Sequence, residues 1–240
     1  MEIVYNLKKV SADIREAESV AHRKENSVRL VAVSKFHPAQ AVLEAYNAGQ
    51  TLFGENRVQE ASSKFDEVRK IHPAADLHII GTLQRNKVKD AVRICSCIES
   101  VDRLEILAEI EKQCAKINKK IEVLFEFHTG EESKAGFPTF EKLLEAVQYC
   151  SDSRTPHVIP RGFMTMAPFT EDVRAIRKSF SSMRTTAERL RNMFPAFTMD
   201  ELSMGMSGDY RIAIEEGSTI VRIGTAIFGP RAYQNEFEVK

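Results

Sequence analysis

Short apolar runs alternate with longer stretches of helical periodicity from residue 28 to the end of the chain. The runs at 28–33, 51–53, 76–80, 94–98, 121–127, 157–163, 199–202 and 218–223 predict eight strands. Between them the spacing predicts helices over 39–47, 56–70, 84–92, 102–117, 139–149, 170–194 and 207–216, with Gly49 and Gly217 as helix stops and Gly81 closing the third strand. Asn56 is expected to cap the second of these helices. Thr170 is expected to cap the sixth, with Glu171 and Asp172 in its first turn. Val173, Ile176, Phe180, Met183, Ala187, Leu190 and Phe194 form the stripe that this helix turns inward. Ahead of the first strand, residues 1–23 read as an amphipathic helix through Ile3, Leu7, Val10, Ile14, Ala17 and Ala21. Eight strands, each followed by a helix or helical stub, predict an α/β fold: a single (β/α)8 TIM barrel with an additional N-terminal helix. The chain, 1–240, is expected to be one domain, with the extra helix over 1–24 and the barrel over 29–229.

Composition narrows the function classes. Lys plus Arg and Asp plus Glu each number 34, so the formal net charge is zero and nothing calls for nucleic acid or an anionic membrane. No apolar run reaches the roughly 18 residues of a membrane span, and the N-terminus does not read as a signal peptide. The four cysteines, Cys95, Cys97, Cys114 and Cys150, form no paired CxxC motif. Cys95 and Cys97 alternate along the fourth predicted strand, so core thiols and no metal site are expected. The cytoplasm is the expected compartment.

A barrel places its ligands at the carboxyl ends of its strands. The first predicted strand runs into Ser34-Lys35, which puts an amine at the barrel mouth. There it either snorkels to solvent or, with its pKa lowered by desolvation, forms imines. After the seventh strand comes Ser203-Met204-Gly205-Met206-Ser207-Gly208-Asp209, and after the eighth Arg222-Ile223-Gly224-Thr225. Small residues and hydroxyls in these two loops suit the recurrent phosphate site of the architecture. The combination predicts a phosphorylated ligand with a carbonyl for Lys35 to capture, either pyridoxal phosphate or a phosphosugar aldehyde.

The motifs then occur in an ordered set: Val31-Ala32-Val33-Ser34-Lys35, Phe53-Gly54-Glu55-Asn56-Arg57-Val58-Gln59-Glu60, His78-Ile79-Ile80-Gly81-Thr82-Leu83-Gln84-Arg85-Asn86-Lys87 and Glu132-Ser133-Lys134-Ala135-Gly136. Ser203-Met204-Gly205-Met206-Ser207 and Val221-Arg222-Ile223-Gly224-Thr225-Ala226-Ile227-Phe228-Gly229 complete it. Over nearly its whole length the chain resembles the YggS/PROSC family of pyridoxal phosphate homeostasis proteins. The resemblance implies the barrel of the alanine racemase N-terminal domain, with pyridoxal 5′-phosphate held as a covalent aldimine on Lys35. It also implies Arg222 near the pyridine nitrogen, phosphate contacts from Ser203, Ser207, Gly224 and Thr225, and a ring-side contact from Asn56. The chain departs from the family pattern at Phe36-His37-Pro38, where Thr-Lys-Pro is more usual, at His128, where Asn is expected, and in a loop one residue shorter before Glu132.

The resemblance implies a monomeric protein that binds, buffers and hands on the cofactor to pyridoxal-dependent apoenzymes without a reaction of its own. Only residues 230–240 follow the barrel, so no second domain supplying an opposing acid or base is expected. An arginine at the pyridine nitrogen also weakens the electron sink that such catalysis uses. The alternatives are a pyridoxal-dependent amino acid racemase or lyase and, more remotely, a Schiff-base aldolase acting on a phosphosugar.

Overall fold

The N-terminal helix α1 (Glu2–Val20) buries Leu7, Val10, Ile14 and Ala17, the stripe its spacing predicts. Residues 2–130 and 136–230 are described by the computed structural model. Eight parallel strands follow: β1 (Arg29–Val33), β2 (Leu52–Glu55), β3 (Asp76–Ile79), β4 (Cys97–Val101), β5 (Ile121–Glu126), β6 (Val158–Met164), β7 (Glu201–Ser203) and β8 (Ile220–Ile223). They pair in sequence order, and β8 pairs back onto β1 to close a barrel. Outside it lie α2 (Ala39–Asn47), α3 (Val58–Ile71), α4 (Val88–Ile94), α5 (Leu104–Lys116), α6 (Phe140–Ser151), α7 (Val173–Met193), α8 (Tyr210–Glu215) and the short α9 (Thr225–Phe228).

Strand alternation sorts the side chains into two layers. Ala32, Phe53, Leu77, Ile98, Phe125, Phe163 and Val221 point outward and join the helix faces in the main core. Each large side chain fully buried there contributes about 1.5–3 kcal/mol. Val31, Val33, Cys97, Leu124, Met164 and Ile220 form a smaller cluster of their own, packed with the partly buried Leu52, Ile80 and Met166. Their alternation with the outward set places them inside the barrel.

Three helix starts differ from the expected ones, because the path of the preceding loop, and not the nearest cap-forming residue type, sets where the helix begins. Asn56 does not cap α3, whose N-cap is Arg57. Thr170 lies outside α7. Its hydroxyl accepts from Asp172 N, and Asp172 caps the helix by accepting from Arg174 N. Asp209 rather than Ser207 precedes α8. Within the α7 stripe, Val173 is exposed while Ile176 to Leu190 are buried as expected.

Strand β4 departs most. Its apolar run reads as 94–98, yet α4 extends to Ile94, Cys95 follows as its C-cap, and the strand starts at Cys97. Cys95 and Cys97 therefore do not share a strand, although both are buried and free, like Cys114 and Cys150. The strand continues through Glu99 and Ser100, which are polar and fully buried. A run defined by apolarity stops where a strand begins to line a polar interior.

Candidate cofactor site

Lys35 lies two residues past the end of β1, whose Val31 and Val33 face inward, and is half-buried at the carboxyl end of the barrel. Ser34 faces the other way and is fully buried, its hydroxyl donating to Glu55 Oε1 at 2.7 Å. Asn56 directly follows β2 and is also half-buried. Its backbone lies against Gly81 at the end of β3, where an added Cβ would stand 2.6 Å from Asn56 O. Only glycine permits that approach.

Below the mouth the barrel interior turns polar. His78 Nδ1 lies 2.6 Å from Glu99 Oε1, and the Ser203 hydroxyl donates to Glu99 Oε2. Arg222 Nη1 donates to both Ser203 O and Ser203 Oγ at 2.7 Å, and Nη2 donates to Thr165 O at 2.9 Å. His78, Glu99, Ser203 and Arg222 form one hydrogen-bonded chain across β3, β4, β7 and β8, every member buried. Such a chain fixes the guanidinium plane, since three bonds on two nitrogens leave it little freedom. Burial pulls the Arg222 pKa down, with Glu99 and Glu126 opposing. Burial alone would raise the Glu99 carboxyl, but the hydrogen bond and charge of His78, then Arg222 and Ser203, hold it below the ordinary value.

Glu126, at the end of β5, completes this layer without joining the chain. Its Oε2 is buried and has no hydrogen-bond partner among the described residues. Burial pushes its pKa up to about 7, against the pull of Arg222 and with the push of Asp102.

The two small-residue loops open at the carboxyl ends of the adjacent strands β7 and β8. Gly205 takes a φ of +98° with Tyr210 and Ala213 packed against it, and its carbonyl accepts from Arg222 N at 2.9 Å. Ser207 and Gly208 are exposed beyond it. After β8, Gly224 precedes α9 and sits so close to β1 that an added Cβ would lie 3.0 Å from Val33 O; Thr225 is exposed beside it. Ser207, Gly224 and Thr225 thus stand at the rim. Ser203 is set apart from them, inside the barrel, with its hydroxyl engaged by Glu99 and Arg222.

Residues 5–232 match the family model described as "Alanine racemase, N-terminal domain". A protein from Pasteurella multocida (strain Pm70) named "Pyridoxal phosphate homeostasis protein" is 38% identical over 234 residues, covering 97% of this chain and 99% of that one. The chain belongs to the pyridoxal phosphate homeostasis protein family. PipY of Synechococcus elongatus PCC7942, solved with PLP bound, is 35% identical with a TM-score of 0.80, over 90% of this chain and all of the other. Alanine racemase from Streptomyces coelicolor A3(2) shares the fold, with a TM-score of 0.68 and 17% identity over 93% of this chain and 58% of that one.

For this homeostasis protein family member, sequence reasoning did not single out His78, Glu99 or Glu126. Each is a charged or polar residue within an apolar strand run or, for Glu99, directly after one. In a barrel that pattern signals the polar layer under the mouth. His128, where the family's Asn is expected, is half-buried with Nε2 lacking a partner among the described residues. The Glu132-Ser133-Lys134-Ala135 part of the family motif, and Glu131 before it, lie outside the described residues.

Glu126 makes stability depend on pH in a defined direction. Unfolded, the carboxyl titrates near its ordinary 4.5; folded, near 7. Between those values the folded chain binds the extra proton, so stability falls as pH rises through the window, by up to about 3 kcal/mol. Glu126→Gln removes this dependence. Urea unfolding of the cofactor-free protein is expected to show the variant gaining on the parent between pH 5 and pH 8, and a constant difference would show that Glu126 titrates normally.

Proposed function

We propose that this chain binds pyridoxal phosphate, carries it as a Schiff base on Lys35, and buffers and transfers it to apoenzymes without turning over amino acids. The observation that carries this is a half-buried lysine at the barrel mouth above a buried arginine, Arg222, whose guanidinium is fixed by Ser203 and Thr165. The residues suit the group. Lys35 supplies the amine and Arg222 a cation for the pyridine nitrogen. Asn56 supplies a ring-side contact, and the rim formed by Ser207, Gly224 and Thr225 supplies donors for the phosphate. Ser203 contributes by holding Arg222. Relatives named for pyridoxal phosphate homeostasis, and PipY solved with PLP bound, support the same ligand. We place the chain in the cytoplasm as a monomer, in keeping with four free cysteines.

When bound, the cofactor supplies an electron sink, which protonation of its ring nitrogen strengthens. A guanidinium cannot accept a hydrogen bond from the protonated ring nitrogen as a carboxylate would, so Arg222 would disfavour the protonated ring. The competing reading, an amino acid racemase or lyase, has one observation in its favour. Glu126, with its pKa near 7, is suited to proton transfer and lies in the same layer. Chiral chromatography of amino acids incubated with the protein, paired with reactivation of a pyridoxal-dependent apoenzyme, separates the two. No turnover together with reactivation is expected. Lys35-dependent racemisation that Glu126→Gln abolishes would establish the enzyme instead.

The phosphate assignment has its own test. Gly224→Val places a branched side chain against Val33 O and should weaken pyridoxal phosphate roughly tenfold to a hundredfold, leaving unphosphorylated pyridoxal nearly unaffected. Equal loss for both ligands would put the phosphate elsewhere.

A further inference from the structure

The turn that presents Lys35 is strained and clamped from behind. His37 N donates to Ser34 O at 3.1 Å, closing a four-residue turn in which Lys35 is the second residue and Phe36 the third. Phe36 has a φ of +65°, a conformation that such turns normally give to glycine or asparagine. A buried ammonium and two carboxylates hold it there. Lys64, on α3, donates to Ser34 O at 2.7 Å, to Glu55 Oε1 at 2.7 Å and to Glu60 Oε1 at 2.9 Å. Glu55 Oε1 also accepts from Ser34 Oγ at 2.7 Å, and Glu60 Oε1 accepts from Phe36 N at 2.6 Å. The peptides on both sides of Lys35 are thus tied to one three-residue cluster, and Arg57 adds a cation over the Phe36 ring at 5.6 Å.

We infer that Glu60, Lys64 and Glu55 are positioning residues for Lys35, holding the strained turn so that its amine is aimed into the barrel. The inference rests on Lys35 carrying the cofactor. In that step the Lys35 nitrogen bonds the aldehyde carbon and the carbonyl oxygen leaves as water. A strained left-handed residue persists only where its surroundings over-determine it. Releasing the Phe36 N–H from Glu60 therefore lets the turn relax and spreads Lys35 over several directions. The clamp's hydrogen bonds run to Ser34 and Phe36 and to none of the described rim residues Ser207, Gly224 and Thr225, so a ligand that cannot form the covalent bond should sense it far less.

The experiment compares two ligands on the full chain. Borohydride reduction at limiting pyridoxal phosphate, followed by peptide mass analysis, measures covalent capture by Lys35. Pyridoxine 5′-phosphate, which lacks the aldehyde, measures non-covalent binding. Glu60→Ala is expected to lower capture roughly tenfold while leaving pyridoxine phosphate affinity within twofold. Glu60→Gln, which keeps the acceptor for Phe36 N, should retain most of it. Adding Phe36→Gly to Glu60→Ala should restore capture, because glycine adopts the turn without strain. Unchanged capture in Glu60→Ala, or parallel loss for both ligands, would overturn the clamp. A parent chain with no adduct on Lys35 would overturn the cofactor assignment beneath it instead.

Discussion

Lys35→Ala protein is expected to yield no borohydride-stable pyridoxyl adduct and no visible Schiff-base band, while unfolding at nearly the parent temperature. The side chain is half-buried at the mouth and belongs to neither packed layer, so truncation should cost no more than about 0.5–1 kcal/mol. Lys64 is close by along the clamp but cannot take over. Lys64 is buried, and its Nζ is engaged by Ser34 O, Glu55 and Glu60, so an aldehyde has no open approach to it. Peptide mass mapping of the reduced parent and variant decides the matter. A main adduct on Lys64, or an undiminished adduct in the variant, would refute the assignment of Lys35.

Arg222 should show the largest effect on stability. Arg222 is 4% exposed and its guanidinium makes three hydrogen bonds, with Glu99 and Glu126 supplying the compensating charge. Removing one partner of a buried pair leaves the other uncompensated, at a cost of about 3–5 kcal/mol. Arg222→Gln is therefore expected to lower the urea midpoint strongly. Glu126→Gln in the same background should return part of the loss at pH 8, where the Glu126 carboxylate would otherwise be ionised without its cation. Arg222→Glu would place a third carboxylate beside those two and should not fold. If Arg222→Gln unfolds within 1 kcal/mol of the parent, the chain from His78 to Arg222 contributes little. If the variant binds pyridoxal phosphate with an unchanged absorbance titration, Arg222 does not meet the ring nitrogen.

Periodicity alone determined the architecture: eight short apolar runs separated by helical stripes leave few solutions other than a closed parallel barrel with helices outside. The N-terminal helix stripe through Leu7, Val10 and Ile14, and the stripe on α7 from Ile176 to Leu190, are buried as their spacing requires. Local order also placed Lys35, Gly224 and Thr225 just past strand ends, because a strand's end is where the apolar run stops. Tertiary structure decided what that criterion misreads. Glu55, Glu99, Glu126 and Ser203 lie inside strands, each polar and each buried, so β2, β4 and β7 run further than their apolar residues suggest. Apart from Glu126, their partners are distant in sequence: Ser203 meets Glu99, Glu99 meets His78, and Glu55 meets Ser34. A buried polar group is stable only with such a partner, and nothing local names it. The polar layer under the mouth, the clamp behind Lys35 and the choice of Arg57, Asp172 and Asp209 as helix caps became visible only once the barrel had closed.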